Sequence, residues 1–299
     1  MGKEIDNYLQ FIRLEKNLSP HTVVAYRCDL EQWEQFLTGG KEALDVKSVT
    51  TGDIRAWMLH LNKQGDSART MRRKVQAVRS FYKWLMKQGM VSDSPAAAVE
   101  LARIPKRLPQ LVRSSSMDEL LDQEIDETDF VQVRNRLIVM MLYETGMRRA
   151  ELLDLLDRNV DTASGELKVH GKRDKDRIIP FGTELAQAID SYRLLRDELV
   201  RGCEHFFVKE DGNPLYPMLV YRIVHRALQE VGVTSKRSPH VLRHSFATAM
   251  LNDGAAINSV KELLGHESLA TTQIYTHVTF SELKNNYKLA HPRALNKGG

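Results

Sequence analysis

The sequence predicts a mainly α protein built from two helical units, the second carrying one small antiparallel β-sheet. Three observations lead there. Apolar residues recur at helical spacing along most of the chain. Pro95, Pro105 and Pro109 interrupt a stretch that cannot be one continuous helix. One segment, GELKVHGKRDKDRIIPF, alternates and turns like a β-hairpin. At 299 residues, 42% hydrophobic and 27% charged, the chain is long enough for two cores of ordinary size. The predicted division is a bundle over 1–91, a basic linker over 92–112 and a second unit over 113–299.

The first unit reads as about four helices. Ser19 is a natural N-cap with Pro20 at the first helical position, and that helix runs to Gly39-Gly40. Val24, Leu30, Trp33 and Phe36-Leu37 form its expected apolar stripe. Thr50, with Asp53 three residues on, opens a second helix. Another runs from about Ala68 to Gln88 and stops at Gly89. Val75, Val78, Tyr82 and Leu85 should be its buried face, with Arg72, Arg73, Arg79 and Lys83 pointing outward. Trp33, Trp57 and Trp84 sit among apolar helical neighbours, which favours core over base stacking. Beyond the linker, Ser116 and Glu119 have capping-box spacing. Helices follow at about 130–145, 183–200, 217–231, 239–252 and 256–264, with strands near 166–170 and 177–181.

Composition excludes several classes. No stretch approaches eighteen uninterrupted apolar residues, so no membrane span is expected. The opening MGKEIDNYLQ lacks an apolar signal core. Cys28 and Cys203 lie far apart, which argues against a disulfide framework and for a reducing cytoplasm. Net charge is only +4, but its distribution is uneven. Between Ser67 and Ser92 stand seven basic residues and no acid: Arg69, Arg72, Arg73, Lys74, Arg79, Lys83 and Lys87. Arg103, Lys106, Arg107 and Arg113 form a second acid-free run from Leu101 to Met117, most of it in the linker. Such runs are either solvated helix faces or a surface for a polyanion, and two of them favour nucleic acid.

Chemistry concentrates in the second unit. In SPHVLRHSFATAML, His240 and Arg243 stand three apart and share a helix side, while Leu242, Phe246 and Ala249 anchor the other. His240 and His244 could also hold a metal, although Val241 stands where a metalloprotease helix needs Glu. In LLGHESLATTQIYTH, Tyr275 follows His266 by nine residues. A phenol with a pKa near 10 is a poor nucleophile unless cations surround the group it attacks. Arg148 in ETGMRRAEL and Lys172 at the hairpin tip supply such cations.

These motifs, with HGKRDKDRIIP and the closing AHPRA, resemble the tyrosine recombinases of the phage-integrase type over nearly the whole chain, most closely the bacterial Xer group. The resemblance implies a SAM-like core-binding fold for 1–91 and a catalytic domain with a docking tail for 113–299. It implies that Arg148 and Arg243 grip the scissile phosphate, with His266 as a further donor and His240 as acid–base partner. Lys172 would protonate the leaving 5′-hydroxyl, and Tyr275 would hold the DNA as a 3′-phosphotyrosine without metal or ATP. Glu151 would orient an arginine. The family hairpin often reads Gly-Lys-Gly, whereas Arg173 follows Lys172 here, and Lys175 is a nearby rival. DNA contacts are expected from Arg69, Arg72, Arg73, Lys74, Arg79, Lys83, Lys106 and Arg107. The implied partners are a double-stranded recombination site, a second recombinase in a tetramer of the XerC/XerD type, and a septal DNA translocase. The alternatives are a mobile-element integrase, a nicking-closing topoisomerase, a noncatalytic DNA-binding protein and a metal-dependent hydrolase.

Overall fold

The structure is a computed structural model and describes residues 1–39, 44–101, 111–171, 175–200, 202–234 and 237–265. The chain divides into two compact units, Met1–Arg107 and Leu108–Gly299.

The first unit is a four-helix bundle of α1 (Gly2–Leu14), α2 (Pro20–Thr38), α3 (Thr51–Lys63) and α4 (Ala68–Lys87). Its helix starts are local chemistry. Ser19 Oγ accepts from the Thr22 amide with Pro20 next in line, and Thr50 and Asp53 cap each other reciprocally. The core is aromatic. Trp33 and Trp57 are fully buried with ring centres 6.4 Å apart, and Phe81 and Tyr82 meet Trp33 edge-on. Tyr82 also donates to the Val46 carbonyl at 2.8 Å, so its hydroxyl does not enter the core unpaired.

The expected buried face of α4 is as predicted, and all three tryptophans lie in the core. The stripe on α2 differs at Val24, which is 60% exposed. Val23, Tyr26, Leu30, Trp33 and Leu37 face the bundle instead, a spacing of three and four that one helix face requires. Residues beyond α4 also join this unit. Ala96 and Val99 are buried in its core, and Thr51 Oγ1 donates to the Pro95 carbonyl at 2.9 Å. Part of the predicted linker, from Pro95 to Val99, therefore packs onto this unit.

The second unit opens with α5 (Ser114–Leu121) and α6 (Phe130–Thr145). α5 starts two residues before the predicted cap and has no side-chain cap, so Ser116 lies inside the helix and the Ser116–Glu119 box does not form. Asp129 caps α6 by accepting from the Val131 and Gln132 amides. From Leu137 to Tyr143 every residue of α6 is buried, which makes it the central helix. A short helix, α7 (Arg149–Leu153), was not predicted. The sheet β1 (Val160–Asp161), β2 (Glu166–Gly171) and β3 (Lys175–Pro180) is antiparallel in that order. Its register pairs Leu167 with Ile179 and Gly171 with Lys175. Leu167, Val169 and Ile179 face the core, as period-two alternation demands. Among the described residues, four helices follow: α8 (Thr183–Leu199), α9 (Pro217–Glu230), α10 (Pro239–Asn252) and α11 (Ile257–Leu264). α8, α9 and α10 surround α6, while α11 packs on α10 and β3.

Gly146 ends α6 in the left-handed conformation, φ +60°, with Phe246 and Leu264 closed over it. A Cβ there would stand 2.4 Å from a Phe246 ring carbon and 2.9 Å from a Leu264 methyl. Gly39 ends α2 with nearly the same φ, +59°, and nothing within 4 Å. Gly39→Ala should cost only the left-handed strain, about 1 kcal/mol. Gly146→Ala adds overpacking and should cost roughly 2–5 kcal/mol. Urea unfolding of the two variants measures the difference, and equal costs would contradict the close approach.

Candidate active site

The site grows from the turn between α6 and α7. Thr145 bonds back to the Met141 carbonyl at 2.6 Å, Gly146 reverses the chain, and Met147 is buried at 1% exposure. Arg148 then adopts extended backbone as the N-cap of α7. Glu151, at the third position of that helix, accepts from the Arg148 amide at 2.7 Å, half of a capping box. The same carboxylate accepts from the Arg148 guanidinium at 2.6 Å. From β3, Arg177 adds a two-pronged fork, with Nη1 and Nη2 each 2.8 Å from a Glu151 oxygen. The side chain of Arg148 remains 32% exposed while that of Glu151 is only 4% exposed, so the cation faces out and the anion lies behind it.

Three arginines from three elements meet the last turn of α11. Arg177 Nε donates to the Leu263 carbonyl at 2.7 Å, Arg243 to Leu264 at 2.5 Å, and Arg148 to Gly265 at 2.8 Å. Arg243 also donates to the Gly146 carbonyl at 2.6 Å, which ties α10 to the end of α6. Carbonyls left over at a helix C-terminus carry partial negative charge, so they are suited to hold guanidinium groups. Among the described residues, each of Arg148 and Arg243 uses two of its five N–H donors in this way. The arrangement fixes the forks and leaves donors for an anion.

The electrostatics follow the geometry. Burial alone would raise the Glu151 carboxyl, but bonding to Arg177 and then Arg148 overrules it and holds the pKa at about 2. Burial, with Arg148 and Arg177 close by, lowers Arg243 to about 10. His240 lies on the same side of α10, at the surface of the site. Desolvation, then the charges of Arg149, His244, Arg243 and Arg148, depress its imidazole below the usual value. A neutral imidazole beside a cluster of cations can accept a proton at neutral pH.

Of the sequence-predicted residues, the structure brings together Arg148, Glu151, His240 and Arg243. Lys172, His266 and Tyr275 lie outside the described residues, as do Lys106 and Arg107 and the closing tail. On α4, Arg69, Arg72 and Lys83 are exposed, and Arg73 is exposed while paired with Asp29. Two side chains differ from the outward arrangement. Lys74 is buried and pairs with Asp66 at 2.7 Å. Arg79 turns onto the carbonyls of Ala96 and Val99, where it staples the segment after α4. His244 is exposed, and among the described residues no group of three or more His, Cys, Asp or Glu could hold a metal ion.

Sequence reasoning missed Arg177. The signal was present: on a strand, positions 177 and 179 share a face, and Ile179 is a core residue. An arginine on an inward face needs a buried partner, and Glu151 is that partner.

Because folding lowers the Glu151 pKa, its contribution is fully present above the unfolded value near 4.5. That contribution fades as pH falls through the folded value of about 2. Wild type should lose on the order of 3 kcal/mol of stability across that window from this group. Glu151→Gln should be less stable at pH 7 but lack that part of the acid slope. Urea unfolding at a series of pH values checks it, and parallel curves for the two proteins would contradict it.

The phage integrase family matches residues 111–282, and the phage integrase N-terminal SAM-like domain matches residues 5–89. Tyrosine recombinase XerC of Chlorobaculum parvum is 38% identical, over 97% of this chain and 94% of its own. XerC of Bacillus licheniformis is 36% identical, over 96% of this chain and 95% of its own. Tyrosine recombinase XerD of Halalkalibacterium halodurans is 33% identical, over 98% and 99%. Two solved structures share the fold. The Tn1549 transposon integrase in complex with transposon right-end DNA is 19% identical, with a TM-score of 0.71 over 95% of this chain and 98% of that one. The XerH site-specific recombinase bound to difH is 24% identical, with a TM-score of 0.66 over 92% and 80%. The chain belongs to the phage integrase family and is a tyrosine recombinase, a member of the site-specific DNA recombinases.

Proposed function

We propose that this recombinase cleaves and rejoins a double-stranded recombination site through Tyr275, using the arginine cluster to bind the scissile phosphate. The observation that carries the reading is the convergence of Arg148 and Arg243 on the C-terminal turn of α11, with His240 three residues before Arg243 on α10. A phosphate diester brings negative charge that grows as a fifth oxygen approaches phosphorus. Prepositioned guanidinium donors stabilise that change most in the transition state.

In the proposed reaction the Tyr275 phenol loses its proton to His240 and its oxygen attacks phosphorus. The bond from phosphorus to the 5′-bridging oxygen breaks, and Lys172 gives that oxygen a proton. His266 adds a donor to the phosphate. The product is a 3′-phosphotyrosine and a free 5′-hydroxyl. Attack by the hydroxyl of a second strand reverses the chemistry, so the phosphodiester energy is conserved and neither ATP nor a metal is required. Glu151 acts on Arg148 rather than on DNA.

The proposed division assigns 1–91 to core binding, 92–112 to a basic strap and 113–299 to catalysis. On α4 the exposed Arg69, Arg72, Arg73 and Lys83 supply phosphate contacts, joined by Lys106 and Arg107 from the strap. Four protomers would act on two duplexes in the cytoplasm, with the C-terminal tail docking on a neighbour. Relatives named XerC and XerD match over nearly their full lengths, which supports resolution of chromosome dimers at cell division. That role brings a second recombinase and a septal DNA translocase as partners.

A suicide DNA substrate, nicked beside the scissile phosphate, should trap a covalent adduct with wild type in EDTA and none with Tyr275→Phe. Adduct from the Phe variant would overturn the assignment of the nucleophile. Lys172→Ala should cleave about 10²–10⁴-fold more slowly. It should recover when the 5′-bridging oxygen is replaced by sulfur, whose thiolate leaves without a proton. Failure to recover would remove Lys172 as the acid.

A further inference from the structure

Arg177 lies on β3, opposite Val169 in the hairpin register and five residues after Lys172. It is nearly buried, at 11% exposure of its side chain, and its donors reach two elements at once. One side of the guanidinium forks onto both oxygens of Glu151 at 2.8 Å. Its Nε reaches the Leu263 carbonyl at 2.7 Å. The group also lies along Gly265, where an added Cβ would stand 3.3 Å from Nη1. A buried ion pair of this kind is weak evidence for stability, because desolvation offsets much of the attraction. Its geometry is nonetheless specific: a fork accepts one orientation of a carboxylate, which a point charge does not enforce.

We infer that Arg177 is a positioning residue, holding Glu151 in the one orientation that aims Arg148 at the phosphate while pinning the last turn of α11 to the hairpin strand. Removing the fork frees Glu151 to rotate, and Arg148 moves with it because their contact is a side-chain pair at 2.6 Å. The same loss detaches Leu263 from β3, one residue before the carbonyl that holds Arg243 and two before the carbonyl that holds Arg148. Arg177 thus ties three things to a single strand: the clamp, the turn from which the chain leaves toward His266 and Tyr275, and the hairpin that carries Lys172. Among the described residues, the charged groups facing Glu151 are Arg148 from its own turn, Arg177 from β3 and Arg243 from α10.

The inference rests on the recombinase reading, and the test separates the two. Arg177→Gln, Arg177→Lys, Glu151→Gln and the double variant Arg177→Gln/Glu151→Gln are compared with wild type on a suicide substrate under single turnover, with site binding measured in parallel. Arg177→Gln should bind its site within about threefold of wild type and cleave about 10- to 100-fold more slowly, the scale expected of misplaced groups. Arg177→Lys should not restore the rate, since an ammonium cannot make the fork. The double variant should lose less than the product of the two single losses, because both act in part through one carboxylate. Wild-type cleavage by Arg177→Gln, or losses that multiply in the double variant, would overturn the inference. A carbon-13 titration of the Glu151 carboxyl, assigned by its absence in Glu151→Gln, reads the tie without DNA. The carboxyl should titrate at higher pH in Arg177→Gln than in wild type, and an unchanged titration would overturn the inference. If wild type forms no adduct while that titration shifts, the recombinase reading fails and the positioning role stands.

Discussion

A single buried carboxylate organises the second unit's chemistry. Glu151 accepts from the Arg148 amide, the Arg148 side chain and the Arg177 fork, so one anion satisfies two cations and a helix start. Without it, two guanidinium groups would be left close together at the edge of the core with no counter-charge among the described residues, a costly arrangement in low dielectric. With it, they are held at fixed angles. The C-terminal turn of α11 completes the frame, since its three successive carbonyls each take one arginine. The cluster keeps a net positive charge, and Arg148 presents it outward.

This frame explains why so many separated motifs must coexist. The α6–α7 turn supplies Arg148 and Glu151, β3 supplies Arg177, α10 supplies His240 and Arg243, and α11 supplies the acceptors. Gly146 makes the convergence possible, because only a residue without Cβ lets Phe246 and Leu264 close over the turn. The core beneath is rigid where rigidity matters. α6 is buried along most of its length, and α10 packs against it through Leu242 and Phe246, both fully buried. Guanidinium groups mounted on such elements need little reorganisation when an anion arrives.

Much of this was legible from residue order alone. Periodicity and caps found most of the long helices, since Ser19, Thr50, Pro217 and Pro239 write their helix starts in local chemistry. The hairpin was visible from alternation. The misses at charged residues share a cause, which is that the deciding partner lies outside the local helical pattern. Lys74 reads as one more cation on a basic helix until Asp66 is placed beside it, and Arg79 until the backbone of Ala96 and Val99 folds back over α4. Val24 fails because neighbouring apolar residues on a helix differ by about 100° in direction, and Val23 takes the inward place. Arg177 is the instructive case. Its strand position predicted an inward face, but no local pattern says which carboxylate, 26 residues away, would meet it.

A phenol becomes useful toward phosphorus through its surroundings rather than by any property of its own. In the proposed reaction, the arginine frame positioned by Glu151 would make Tyr275 a competent nucleophile toward phosphorus. The most direct measurement is the chemical identity of the trapped protein–DNA bond. After nuclease and protease digestion of the covalent complex, tandem mass spectrometry should place a nucleotide on the peptide that contains Tyr275, joined through its 3′-phosphate. A nucleotide on any other residue, or joined through a 5′-phosphate, would contradict it.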